Sequence, residues 1–322
     1  MGRREDFLSN RFRSAWVLCF CILLANTAPD AAHARPADSN ASGRITLVEI
    51  QHVNFRTDPR VFFHIEHIRG ELVPLGPTRP MTFDDKGSFG IAIESGTISL
   101  TTRSMAALLN NYVFAFPGTP IRNVTLTNHD GELVQTAAVH GIPAVMAGKL
   151  SVTPEGLIRF SPDSIKMAGV PVKKLMDALG AHTQKMVHPD ESRGFKIAGD
   201  DLLLNINQFP TLPRMYGHVV GVRLEGDNVI ETFAPDPARS KRPPALNPPM
   251  SPHAFMYFRG GTVRFGKLTM GNAELEIVSA RRQDWLDFDL DHYNDQLIAG
   301  CSKTTSSFAL IVSVPDYEQV NE

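Results

Sequence analysis

Apolar and polar residues alternate along most of this chain. Ile45, Leu47, Val53 and Phe55 open the pattern, Phe63 and Ile65 resume it, and Pro59, Pro74, Pro77 and Pro80 interrupt it. A period of two places the apolar side chains on one face of a pleated strand, and proline ends or turns a strand. Residues Arg44 to Leu100 therefore predict strands joined by proline-marked turns. Hairpin signals follow. Asn128-His129-Asp130-Gly131 lies between Val124–Leu126 and Leu133–Gln135, and Pro154-Glu155-Gly156 between Leu150–Val152 and Leu157–Arg159. Glu225-Gly226-Asp227-Asn228 lies between Val222–Leu224 and Val229–Ile230. Asp-Gly and Glu-Gly turns between alternating runs predict antiparallel pairing. Alternation returns at Val263, Phe265, Leu268, Met270, Leu275 and Ile277, and a last strand is expected over Phe308–Val314.

Helical spacing is rarer. A helix is predicted over Ser104–Phe114, capped by Thr101 or Thr102 and stopped before Pro117-Gly118. A second is predicted over Asp284–Gly300, where Leu286, Leu290, Tyr293 and Leu297 share a face, Asp284 caps and Gly300 closes. Residues 91–112 and 158–179 match at an offset of 67: Ile91, Ile93, Ile98, Leu100, Met105, Leu108, Leu109 and Tyr112 fall on Ile158, Phe160, Ile165, Met167, Val172, Leu175, Met176 and Leu179. Each unit reads as strand, turn, strand, helix, the final four positions having the i, i+3, i+4, i+7 spacing of one helix face. The expected class is α+β, with mainly antiparallel curved sheets packed on two or three amphipathic helices and with these two units as an internal repeat.

Four organisational segments emerge. Residues 1–34 carry Arg3, Arg4, Arg11 and Arg13, an apolar run from Ala15 to Ala25, and a small-residue site at Ala32-His33-Ala34, the order of a secretory signal peptide cleaved near Ala34. Residues 35–234 form the antiparallel α+β domain. Residues 235–252 are dense in proline and are expected as an extended loop outside the core. Residues 253–322 supply C-terminal strands and a helix packed on the same domain. The mature protein is expected in the periplasm or secreted, with no transmembrane segment, since a spanning helix needs roughly 20 apolar residues. Cys301 is the one cysteine beyond the signal peptide, and a small buried residue is expected there rather than a nucleophile. A formal net charge of −2 without a long basic run argues against nucleic acid as a partner.

The chain offers several incomplete chemical motifs. His64-Ile65-Glu66-His67 has metal-ligand residue types, but on a strand His64 and Glu66 point to one face and His67 to the other. Asp287, Asp289 and Asp291 have the spacing that opens a calcium loop, yet His292 and Ile298 occupy its glycine and glutamate positions, so Asp287, Asp289, Asp291 and Asp295 read as a solvated acidic helix face. Gly261–Leu268 nearly spells a phosphate-binding loop but has Leu268 where Ser or Thr would bind magnesium, and alternating Val263, Phe265 and Lys267 favour a strand. Neither a nucleophile elbow nor a Ser-x-x-Lys motif occurs. No catalytic residue, metal ligand or cofactor is assigned. Met105, Met146, Met167, Met176, Met186 and Met215 are candidates for an adaptable apolar lining.

Residues Ser99 to Phe233 resemble bacterial envelope proteins of the LmeA type and, more distantly, the tubular lipid-binding (TULIP-like) folds. The resemblance rests on a helix of the form Met105-x-x-Leu108-Leu109-Asn110, the hairpins Leu133–His140 and Gly148–Phe160, the run Ile165-Lys166-Met167-Ala168-Gly169-Val170-Pro171-Val172, and the late strands Asp201–Ile206 and Val219–Glu225. It implies an elongated scaffold whose apolar interior holds a lipid or acyl chain, with Leu108, Leu109, Leu175, Met176 and Leu179 as lining residues. The leading expectation is thus an exported, non-catalytic protein that binds or shields a lipid or other long apolar ligand. A structural or envelope-partner-binding protein with a filled core is the alternative. A metal-dependent hydrolase assembled from His52, His64, Glu66, Asp84 and Asp85 is a third reading.

Overall fold

A computed structural model describes residues 45–76, 81–173, 189–238, 243–250, 252–281 and 285–320. The alternating segments form strands β1 (Thr46–Asp58), β2 (Val61–Pro74), β3 (Met81–Thr82), β4 (Phe89–Thr101), β5 (Ile121–His129) and β6 (Glu132–Val139). They continue as β7 (Ile142–Val152), β8 (Ile158–Met167), β9 (Val170–Pro171), β10 (Phe195–Ala198), β11 (Asp201–Leu204) and β12 (Arg214–Glu225). The C-terminal part adds β13 (Asn228–Ala234), β14 (Phe255–Phe265), β15 (Leu268–Ser279), β16 (Leu286–Asp289), β17 (Cys301–Thr304) and β18 (Leu310–Val314). Helices are short: α1 (Thr102–Leu108), α2 (Tyr293–Ala299) and α3 (Tyr317–Val320). Among the described residues strand outweighs helix.

Two sheets divide the strands. The larger has eleven, in the order β12-β13-β4-β2-β1-β14-β15-β18-β17, with β16 beside β1 and β3 beside β14. The smaller has seven, in the order β10-β11-β8-β7-β6-β5, with β9 beside β8. Pairing is antiparallel except at β1–β16, β4–β12, β3–β14 and β15–β18. Neither sheet closes among the described residues. All three expected hairpins form, joining β5 to β6, β7 to β8 and β12 to β13. In the first, Asp130 and Gly131 both take positive φ, as a tight Asp-Gly turn requires. The sheets meet where Asn128 Nδ2 donates to the Gly226 carbonyl at 2.6 Å, linking the β5–β6 turn to the β12–β13 turn.

The core is continuous between the two sheets, running from Val48 and Phe55 on β1 through Leu108 on α1 to Leu133 and Phe160 in the smaller sheet. Phe83, Phe89, Phe258 and Phe265 form its aromatic centre, with Phe83 stacked on Phe265 at 3.9 Å between ring centroids. A satellite cluster of Phe255, Tyr257, Val278 and Ile311 is covered by Leu246. The proline-rich segment was expected outside the core, but Leu246 is buried, Arg69 Nη2 donates to the Pro244 carbonyl, and Met250 N donates to Glu276. One leucine suffices to seat a loop that composition marks as solvent-exposed.

Local structure also departs from expectation. The expected turn inside each unit is absent, since Ile91–Leu100 lies in the single strand β4 and Ile158–Met167 in β8, in different sheets; the second segment turns only after Met167, at Ala168-Gly169, into the short β9. The expected helix of 284–300 is split into β16 and α2. Leu286, Phe288 and Leu290 alternate with Asp287 and Asp289, and the edge of β1 beyond β14 selects that period by pairing Val53–Arg56 with Leu286–Asp289. The first helix begins as expected, with the Thr101 hydroxyl accepting from Ser104 N, but widens after Leu108 into a π turn over Leu109–Val113. There Asn110 bonds both the amide and the carbonyl of Val124, extending the backbone pattern of β5. Cys301 is exposed, because β17 ends the larger sheet and no strand covers its outer side. Leu175, Met176 and Leu179, where the helix of the second unit is expected, and residues 1–34, where a signal peptide is expected, lie outside the described residues.

Candidate binding site

The end of β4 and β13 pair so that Val229, Glu231 and Phe233 turn one face of β13 inward, with Glu231 opposite Ile98. That face meets α1, whose Met105 and Leu108 lie across it, and Phe63 of β2. The segment from Ile206 to Met215 crosses the remaining side and contributes Ile206, Phe209, Thr211 and Met215. Between them is a cavity of about 30 Å³, also walled by Ile98, Leu100 and Phe233. The crossing segment is fixed at its ends: Asn205 Oδ1 accepts from Asn207 N at 3.1 Å, and Asn207 Oδ1 accepts from Gly217 N at 2.7 Å.

Glu231 is 5% exposed, and no hydrogen bond or ion pair reaches its carboxyl group from the described residues. Burial alone pushes its pKa up to about 7. An ionised carboxylate in apolar surroundings has lost its water and gained no counter-charge, so the proton stays on. Thr211 is the other polar side chain on the wall. A neutral carboxyl of this kind both donates and accepts hydrogen bonds. The arrangement is suited to binding a small polar group amid apolar surface.

A second cavity of about 30 Å³ lies on the inner face of the smaller sheet, lined by Ile121, Gln135, Ala137, Val139, Ala144, Met146, Ile197 and Leu202. Of the methionines singled out in the sequence, Met105 and Met215 line the first cavity and Met146 the second. Leu108 also lines the first cavity. Leu109 is buried one position further on, in the core but not on the cavity wall. Glu231 was not singled out from sequence. The signal was present, however: a glutamate in register between Val229 and Phe233, directly after a hairpin turn, is a charged residue on the apolar side of a strand.

The histidines meet elsewhere. His52 stacks on His253 with ring centroids 3.9 Å apart, and His52 Nδ1 donates to the His253 carbonyl at 2.9 Å. Trp285 presents its edge to His52 at 5.3 Å and to His64 at 6.0 Å. His64 is bonded to Asn54 at 2.6 Å, and burial lowers its pKa. An extra residue at Glu66 shifts the β2–β4 register, so Ile65 and Ile68 both face the core. His67 is thereby turned to the same side as His64, where it meets Glu49, and not to the opposite face as strict alternation implied. Asp84 accepts from Tyr293 and Asn294, tying the loop before β4 to α2, while Asp85 accepts from Gly87 N within its own turn. Among the described residues, no group of three His, Cys, Asp or Glu side chains is placed to hold a metal ion.

The acidic cluster is divided: Asp295 is exposed in the first turn of α2 and Asp291 is exposed before it, whereas Asp287 and Asp289 lie on the strand β16 and not on a helix face. Asp289 is buried on β16 with its carboxylate 3.6 Å from Arg56 Nε, and Asp287 lies 4.0 Å from Arg56 Nη2. Burial raises the Asp287 pKa to about 6, against the pull of Arg56 and with the help of Asp316, Glu318 and Asp289. These groups lock β16 to β1. In comparison with known proteins, no family model, curated protein or solved structure matches the chain.

Proposed function

We propose that the chain is an exported, non-catalytic protein that binds a lipid or another long apolar ligand at the cavity beside Glu231. The observation that carries this reading is a carboxyl group held without a partner in an otherwise apolar cavity. Leaving a buried polar group unsatisfied costs about 1–3 kcal/mol, and packing alone would be better served by leucine. Leu108 supplies part of the wall, and Leu109, Leu175, Met176 and Leu179 belong to the same proposal as residues along the ligand path. Binding would be driven by burial of alkyl chain at about 0.8 kcal/mol per CH₂. The cavity has room for a group of about the size of water, so a chain enters by displacing Met105, Met215 and the segment Ile206–Met215. The likeness of residues 99–233 to tubular lipid-binding proteins points the same way, and the duplicated, curved scaffold is part of the same proposal.

The cavity's size favours a second reading, a structural or partner-binding envelope protein with a filled core. Native mass spectrometry of the mature chain from Arg35, purified after export and then extracted with solvent, separates the two. A retained lipid is expected. A ligand-free mass that persists after incubation with envelope lipids overturns the lipid reading in favour of the filled core.

A further inference from the structure

The cavity has a chemical character narrower than that of an apolar slot, and it reports on the polar end of what enters. We propose that it receives the hydroxyl end of an uncharged amphiphile, with the Glu231 carboxyl group as its hydrogen-bonding partner. This rests on the ligand-binding reading and narrows it to one class of ligand. Around Glu231 on the same sheet lie Phe63, Ile98, Leu100 and Phe233, whose side chains offer no compensation to a charge. An ammonium head would form an ion pair, but only by stripping water from two ions in a site that has no further donors or acceptors beyond Thr211. A carboxylate head would bring an unpaired negative charge into a site whose described lining holds no cation, and would meet the same desolvation cost that keeps the proton on Glu231. A hydroxyl incurs a far smaller desolvation cost and matches a neutral carboxyl as both donor and acceptor. The free volume of about 30 Å³ fits such a terminal group without its chain. The chain then runs toward Met215, the lining residue at the start of β12, which is only partly buried.

The test compares 1-octanol, octylammonium and octanoate as probes of the mature full-length chain at pH 6, by calorimetric or NMR titration. Wild type, Glu231→Gln and Glu231→Leu are each checked for a cooperative melt. Octanol is expected to bind wild type more tightly than either charged probe. Glu231→Gln keeps a donor and an acceptor and should retain octanol binding, whereas Glu231→Leu should weaken it by about three- to tenfold, the effect of one hydrogen bond. Octylammonium binding as tightly as octanol, or octanol binding unchanged in Glu231→Leu, overturns this inference and leaves apolar ligand binding standing. Octanol failing to bind while lipid is retained by the native protein has the same meaning. Octanol failing to bind a protein that also retains no lipid overturns both, and leaves the cavity to an internal water.

Discussion

Glu231 couples the cavity to the stability of the protein. Its folded pKa of about 7 lies above its ordinary 4.5 because burial penalises the charge. Below pH 4.5 both folded and unfolded chains hold the proton, and ionisation of the group contributes nothing to the stability difference. As pH rises from 4.5 through 7, the unfolded chain ionises first, and stability falls by an amount on the order of 3 kcal/mol. Denaturant unfolding of wild type and Glu231→Gln at both ends of that window should show a larger loss in wild type than in the variant, the difference between the two being the contribution of Glu231. Asp287, raised to about 6, adds a loss of the same sign at lower pH that is common to both proteins. Gln296, fully buried, serves three backbone groups: Asp289 N donates to its Oε1, and its Nε2 donates to the carbonyls of Asp287 and Pro315. Gln296→Leu leaves all three without their partner and should cost about 3 kcal/mol in the same measurement. Cys301, exposed on β17, should react with a thiol reagent in the native mature protein without denaturant.

At the scale of elements, strand contacts depend on small residues at a few close approaches. Gly148 lies where the β7–β8 register shifts, and a Cβ there would stand 2.0 Å from the Ser161 carbonyl oxygen. Gly148→Ala must push β7 from β8, and thermal unfolding should report a loss of roughly 2–4 kcal/mol. Gly271→Ala on β15, with open space around it and ordinary φ, is the matched control and should change little. The hairpins were legible in the sequence because turn and period are both local: Asn128–Gly131 and Pro154–Gly156 carry their own geometry. The 284–300 segment was not, because Leu286, Leu290, Tyr293 and Leu297 satisfy a helix while Leu286, Phe288 and Leu290 satisfy a strand. The choice between them is made by β1, far away in sequence. Leu108 was marked as a lining residue by the resemblance of residues 99–233 alone, and the cavity itself depends on β13 and on Ile206–Met215 folding across α1.

At the scale of the whole molecule, the two halves of β1 have different partners on the same side. Leu47–Gln51 pairs with Phe255–Arg259 of β14, and Val53–Arg56 pairs with β16. Leu286 and Phe288, both fully buried, are thus core residues of a sheet that begins at Thr46. A chain truncated after Ala280 should lose cooperative unfolding as followed by near-ultraviolet circular dichroism, although every strand from β1 to β15 remains in it. The same pairing fixes an order of events. A ribosome or an export channel delivers β1 before either of its partners on that edge, and Val53 and Phe55 cannot complete their environment until residue 289 has emerged. Pairing β16 with β1 joins Val53 to Leu286, so that step closes a long loop and depends on long-range encounter rather than on the quick local hairpins. Until then the Val53–Arg56 half of that edge stands without its partner strand, whatever the neighbouring half has already done.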